Sequence, residues 1–256
     1  MFEVRFIFDK FVPIGLPNGL IVPKTGKNYH HSWAYGSILS EMGSQHLEYI
    51  YLSDMTGDVR FRDRVLHIRN YLNKMEKPHG LYMNMVDNVY GRWTENKSTL
   101  GALSDSFYEY LIKAYVQSNH KDHVALKMYK DAVDAIDVSG IINISPTGLV
   151  YLSDLFYGKA NNKMQHLTCF AGGMYALGAH ELAKDNSVVY SDATAQQVNR
   201  SIEYDRINRH FALGINVTNT CHESYVRAPT GLGPETFYFD NDNEATNKNG
   251  DMYILR

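Results

Sequence analysis

Five carboxylates, a histidine and two cysteines stand out in this sequence by type and spacing. Glu41 and Glu48 are seven residues apart, so on one continuous helix they would lie within about 20° of each other and roughly 10 Å apart along the axis. Asp105 and Glu109 are four apart, one turn along a shared face. They sit in Leu103-Ser104-Asp105-Ser106-Phe107-Tyr108-Glu109-Tyr110-Leu111. There a like-charge i, i+4 pair costs roughly a few tenths of a kcal/mol and is read with no lysine beside it. In the structural alternative, Ser104 or Asp105 caps a helix and Glu109 is a first-turn acid favoured by the helix dipole. Clustered carboxylates among aromatic rings suit glycoside hydrolysis, which needs an acid for the leaving oxygen, a base for water and further groups to grip hydroxyls. The polar alternative is a cation site. Asp240-Asn241-Asp242-Asn243-Glu244 resembles the start of a calcium loop, but Ala245 replaces the required glycine and Asp251 the bidentate glutamate. It reads as a solvated turn.

His166 precedes Leu167-Thr168-Cys169-Phe170, and taken alone it is a capping or core histidine. Cys169 and Cys221 are the whole thiol inventory, and a disulfide and two buried free thiols are equally compatible with that count. Zinc held by His166, Cys169, Cys221 and His222 is disfavoured, since adjacent helical residues point about 100° apart. Sequons at Asn96, Asn143, Asn199 and Asn216 are compatible with a secretory lumen. No Walker loop, G-x-S-x-G elbow, H-E-x-x-H or dinucleotide fingerprint occurs.

The remaining composition bounds the class of protein. With 25 basic and 28 acidic residues in 256, the net charge of −3 provides no electrostatic footprint for nucleic acid or anionic lipid. Hydrophobic residues at 44% can build a core. Nineteen tyrosines bring many rings with an apolar face and a polar tip. No stretch is long and apolar enough to span a membrane, and Met1 to Val12 is interrupted by Glu3, Arg5, Asp9 and Lys10 with no cleavage site after it.

Helical hairpins in series must position these residues. The spacing predicts a helix over Ser37 to Met55, a stop and N-cap at Thr56-Gly57-Asp58, and a second helix carrying Phe61, Val65, Ile68 and Leu72, with Pro78 as its limit. Residues 80 to 98 read as a long loop or irregular hairpin. A second pair follows, with Asp105, Glu109, Ile112 and Val116 on one line, a break at Ser118-Asn119-His120, and Ala125, Tyr129, Ala132 and Ile136 on the next. A third pair runs from about Leu167 to Ala183 and to near Tyr225, joined by a polar stretch from Lys184 to Thr194. Residues 228 to 256 read as loop and strand. Such hairpins stack into a solenoid or close into an α/α toroid, and the long excursions between pairs favour the toroid.

Three motifs carry a resemblance over nearly the whole chain: the segment from Leu103 to Leu111; His166-Leu167-Thr168-Cys169-Phe170-Ala171-Gly172-Gly173-Met174; and Cys221-His222-Glu223-Ser224-Tyr225, followed by Leu232-Gly233-Pro234-Glu235. Pro13-Ile14-Gly15-Leu16-Pro17, Glu41 through Gly57 and Tyr253-Ile254-Leu255-Arg256 add to it. The chain resembles the class I α-1,2-mannosidases of glycoside hydrolase family 47, most closely their Golgi-type branch. The resemblance implies an all-α fold, part of an (α/α)7 barrel with small β-hairpin and loop excursions, and inverting removal of α-1,2-linked mannose from high-mannose N-glycans. It also implies a calcium ion, and a Golgi or endoplasmic-reticulum lumen reached by a type II membrane protein when full length. It assigns Asp105 as a catalytic carboxylate acting through water. Glu41, Glu48, Leu103, Glu109, His166 and Glu235 are assigned to the substrate, and Cys169 and Cys221 to a disulfide. Leu103 stands where the endoplasmic-reticulum enzymes carry a branch-gripping arginine.

The same resemblance places the general acid segment upstream of residue 1, and the Arg-Pro-Glu base and the calcium-ligating threonine beyond Arg256. Residues 1 to 256 are therefore expected to be a single incomplete catalytic domain with no metal ligand of its own, unable to release mannose alone. The rival expectations are a non-hydrolytic glycan-binding relative of the degradation-enhancing type, against which the cysteine pair speaks, and a helical scaffold, which leaves five inward acids unexplained.

Overall fold

Gly57 and Asp58 end one helix and begin the next, as the sequence predicts. Gly57 takes the left-handed conformation at φ 72°, and the Asp58 carboxylate accepts the Arg60 amide at 3.1 Å. The computed structural model describes residues 14–186, 193–239 and 252–253. In chain order these form β1 (Leu20–Val22), β2 (Lys27–Tyr29), β3 (Ser37–Ile38), α1 (Leu39–Gly43), α2 (His46–Thr56) and α3 (Val59–Lys74). Then come β4 (Met85–Asp87), β5 (Arg92–Trp93), β6 (Lys97–Ser98), α4 (Asp105–Gln117) and α5 (His123–Ser139). The rest are β7 (Ile142–Ile144), β8 (Val150–Leu152), β9 (Leu155–Phe156), β10 (Lys159–Ala160), β11 (Lys163–Gln165), α6 (Phe170–Asn186), α7 (Ala193–Val226), β12 (Thr236–Phe239) and β13 (Met252–Tyr253). The predicted turn at 240–244, the first 13 residues and the terminal Ile254-Leu255-Arg256 lie outside the described residues.

The helices pack as the three expected hairpins, α2 on α3, α4 on α5 and α6 on α7. The chain divides into two compact units, Met1–Ile141 with Asp154–Ala160, and Ile142–Ser153 with Asn161–Arg256. In the first unit Val65, Ile68, Leu72, Leu111, Ile112, Met128 and Ile136 are buried on the facing sides of α3, α4 and α5. Their i, i+3, i+4 spacing is the source of the predicted helical lines. Residues 80–98 contain an irregular hairpin, with β4 pairing β3 and β5. In the second unit β11, β12 and β13 form an antiparallel sheet, and Tyr151 stacks on Phe239 with ring centres 3.8 Å apart.

The predicted continuous helix from Ser37 to Met55 is two helices. α1 ends at Gly43, and Ser44 and Gln45 separate it from α2. A Cβ at Gly43 would strike the Phe107 ring, so the glycine admits α4 against this bend. Hydrophobic spacing continues across the break, which is why periodicity alone reads through it.

A buried polar cluster ties α2, α3 and α5 together. Arg69 donates from both terminal nitrogens to Asp122, at 2.6 and 3.0 Å, and Asp122 also caps α5 by accepting the Ala125 amide. Arg69 Nη1 lies 3.1 Å from His46 Nε2, and the imidazole is buried. Burial first, then the Arg69 charge, lowers the His46 pKa to about 4, against a smaller raising effect of Asp122. The folded protein therefore keeps His46 neutral where the unfolded chain protonates it. Between about pH 6.5 and 4 the unfolded state binds the extra proton, so stability falls as pH falls through that window, by roughly 3 kcal/mol over its full width. Urea unfolding at pH 7.5 and 4.5 should show the loss, and His46→Gln should flatten it; an unchanged slope in the variant would remove His46 as its source.

Candidate active site

In the first unit, α4 carries two of the acids that the sequence singled out, Asp105 and Glu109. Asp105 is the first residue of α4, half-buried, and accepts the Ser106 amide at 2.8 Å. Burial chiefly, and the charge of Glu109 in lesser part, raise its pKa, while the Ser106 bonds pull it down. Ser104 occupies the N-cap position without capping through its side chain; its hydroxyl donates to Asn84 Oδ1 at 2.8 Å. Glu109 lies beyond the first turn. Lys113, four residues on, forms an ion pair with it, which corrects the expectation of an uncompensated pair. That partner was legible from the spacing alone.

Leu103, immediately before these residues, has φ 80°. A side chain with a Cβ pays roughly 1–2 kcal/mol for that left-handed backbone. It is held there by packing on Ala34, Ile38 and Met85 and by its carbonyl, which accepts the Ser40 amide at 2.9 Å. Strain of this kind concentrates at functional sites, and here it aims the first turn of α4.

Glu41 and Glu48 do not share one helical face, because the break after Gly43 puts them on different helices. Glu41 on α1 lies 2.8 Å from His31 Nε2. Glu48, in the first turn of α2, accepts the Tyr110 hydroxyl of α4 at 2.7 Å. Burial first, then that bond and the charges of Glu48 and Glu109, push Tyr110 up to about 12. In Glu48→Gln the tyrosine should titrate lower while burial still holds it above the ordinary range. Tyrosine ring-carbon NMR, with the signal assigned through Tyr110→Phe, checks this; an unmoved titration would break the link. Neither His31 nor Tyr110 was singled out in the sequence, although Tyr110 lies inside the quoted motif.

In the second unit, the β11–β12 ladder brings His166 and Glu235 together. Gln165 pairs with Thr236, so the residues just outside that pair are neighbours, and the His166 amide donates to the Glu235 carbonyl at 2.8 Å. The His166 ring bonds through Nε2 to the Tyr225 hydroxyl of α7. Gly233 lies flat against the Tyr225 ring, where any Cβ would collide. A disulfide joins Cys169 to Cys221, with Cα atoms 5.9 Å apart. It clamps the 3-10 turn His166–Cys169 to α7 one turn before Tyr225, and both sulfurs are thereby withdrawn from any metal. Among the described residues no group of three or more His, Cys, Asp or Glu side chains is placed to hold a metal ion, and none of their helices is long and apolar enough to cross a membrane.

Comparison with known proteins agrees with these motifs. The chain is 44% identical over 263 residues to mannosyl-oligosaccharide alpha-1,2-mannosidase IA of Drosophila melanogaster, covering 99% of this chain and 36% of the relative. It is 41% identical over 248 residues to mannosyl-oligosaccharide 1,2-alpha-mannosidase IB of Mus musculus, covering 95% of this chain and 35% of the relative. The chain thus spans about a third of the length of these curated relatives. Its fold resembles the alpha-1,2-mannosidase from Trichoderma reesei, with a TM-score of 0.71 at 24% identity over 89% of this chain and 43% of that one. With the Glycosyl hydrolase family 47 profile matching residues 7–255, the chain belongs to that family.

Proposed function

We propose that this chain is the glycan-gripping part of an inverting α-1,2-mannosidase that trims high-mannose N-glycans, within an (α/α)7 barrel. The observation that carries the reading is the half-buried Asp105, its pKa raised, at the head of α4 with Glu109 one turn behind. A carboxyl group that keeps its proton to higher pH can pass it, through a water molecule, to the oxygen of the breaking glycosidic bond, and in this reading Asp105 takes the acid role that the resemblance assigned upstream of residue 1. As that bond breaks, a second water gives its proton to a base carboxylate contributed by the rest of the barrel and forms the new C1–O bond on the opposite face, so the configuration inverts. Glu41, Glu48, Glu109 and Glu235 accept sugar hydroxyls, and His166, fixed by Tyr225, adds a directional partner. Leu103 presents an apolar surface that tolerates several glycan branches, the Golgi-type preference.

The working compartment that fits is a Golgi or endoplasmic-reticulum lumen, where a disulfide persists. Calcium is the cation of this reading. The described residues alone do not assemble a cage for it, so no step is assigned to it.

The test is a chimera in which this chain replaces the aligned third of the Drosophila relative. Mannose released from α-1,2-linked but not α-1,6-linked oligomannose is the expected result. A folded chimera that binds oligomannose without releasing mannose would instead favour a non-hydrolytic glycan-binding protein.

A further inference from the structure

The fold gives the asparagines of the four Asn-x-Ser/Thr tripeptides different surroundings. Asn143 lies in β7, and its side-chain nitrogen donates to the Ser153 hydroxyl at 3.0 Å. Ser153 is buried, so a substituent on that nitrogen would break a hydrogen bond inside the fold. Asn96 is half-buried where the chain enters β6, and its carbonyl accepts the Tyr157 amide at 2.9 Å. The side chain of Asn199 lies outside the described residues. Asn216, in contrast, is exposed on α7. Its tripeptide, Asn216-Val217-Thr218, is also the one of the four that ends in threonine. On this helix Leu213, Val217, Thr220 and Ser224 form a buried line. The outward half carries two others. Tyr204, Phe211 and Ile215 make an apolar line, each more than half exposed. Ala212, Asn216 and Asn219 make an exposed line without a large apolar side chain, and Asn216 is turned about 100° from Ile215.

We propose that Asn216 is an N-glycosylation site, modified by transfer of an oligosaccharide from a polyprenyl diphosphate carrier. The Asn216 side-chain nitrogen forms the new bond to C1 of the first sugar. The C1–O bond to the diphosphate breaks, the lipid diphosphate leaves, and the nitrogen gives up one proton to a base of the transferring enzyme. Transfer takes place on the extended chain, so the folded helix must then accommodate the product. The Asn216 carbonyl accepts the Thr220 hydroxyl at 3.1 Å, and the Thr218 hydroxyl donates to the Gly214 carbonyl at 2.7 Å. Both bonds run through backbone carbonyls and leave the Asn216 side-chain nitrogen to carry the sugar. Of the two outward lines, the apolar one gains from being covered by other protein, whereas the line of Asn216 offers little apolar area to bury. A hydrated glycan there costs no packing.

The site rests on the lumenal compartment of the reading above, and the experiment imposes that compartment so that it tests the site alone. The chimera with the Drosophila relative is secreted from insect cells and its glycans are released by a peptide N-glycanase in heavy-oxygen water, which turns each glycosylated asparagine into a labelled aspartate. Peptide mapping should find the label at Asn216 in most molecules and at Asn143 in almost none. Asn216→Gln should remove one glycan from the intact mass while mannose release stays at the parental level. Thr218→Ala should lose the same glycan, and Thr218→Ser should keep most of it. An unlabelled Asn216 in the secreted, folded chimera overturns the proposal, and so does an Asn143 labelled as fully as Asn216. Mannose release by the same protein reads the mannosidase proposal separately: release with Asn216 unlabelled overturns only the glycosylation site, and a labelled Asn216 without release overturns only the reaction.

Discussion

Asp105→Asn should lower mannose release by the chimera about 10²–10⁴-fold, the range lost with a general acid–base group. Asparagine keeps the shape and the acceptor for the Ser106 amide, whose bond to Asp105 is 2.8 Å, but it has no proton to transfer. Binding of mannobiose should change far less, so the loss belongs to kcat rather than KM. The pH profile adds a second readout. Burial, with help from Glu109, raises the Asp105 pKa, so the protonated form survives to higher pH than for an ordinary aspartate. Activity that needs that form falls as pH rises through the raised value. Removing the charge in Glu109→Gln should move this descending limb to lower pH. An Asp105→Asn protein within about tenfold of the parent would show that the reaction uses a different carboxylate.

Replacing both cysteines, in Cys169→Ser with Cys221→Ser, should cost about 4 kcal/mol of stability in the chain-entropy model. The crosslinked residues are 52 apart in sequence, so the loop released in the unfolded chain is long. The native consequence is local as well. The 3-10 turn that carries His166 is tied to α7 by this bridge and by the bond from His166 to Tyr225, and without the bridge the imidazole depends on the tyrosine alone. Urea unfolding of the double variant, and of the parent with reductant, should show matching losses. A loss under about 1 kcal/mol would mean the bridge constrains little that the fold does not already hold.

Much of the architecture is legible in order along the chain. The Gly57–Asp58 boundary, the break at Asn119 and His120, which adopt φ 53° and 64°, and the three helical hairpins all depend on residues within a turn or two of each other. Local spacing encodes such features because backbone caps and side-chain faces repeat every 3.6 residues. The long motifs identify the family for the same reason: they are contiguous. Even the Lys113 partner of Glu109 was available to a count of four.

What contiguity cannot carry is contact between elements. Glu41 and Glu48 share a face on paper, but the Phe107 ring lies against Gly43, and the helix divides between them. Their partners, His31 and Tyr110, then come from a loop and from another helix. The left-handed backbone of Leu103 is likewise imposed from outside, since no local preference of leucine favours it. The burial that lowers His46 and raises Asp105 also comes from neighbours on other elements. The sequence by itself determined the helical hairpins, the Gly57–Asp58 boundary, the family and the candidate acids, because those depend on residue type and near neighbours. The tertiary structure decided which acid meets which partner and with what proton affinity, because desolvation and hydrogen bonding act through space between residues far apart in the chain.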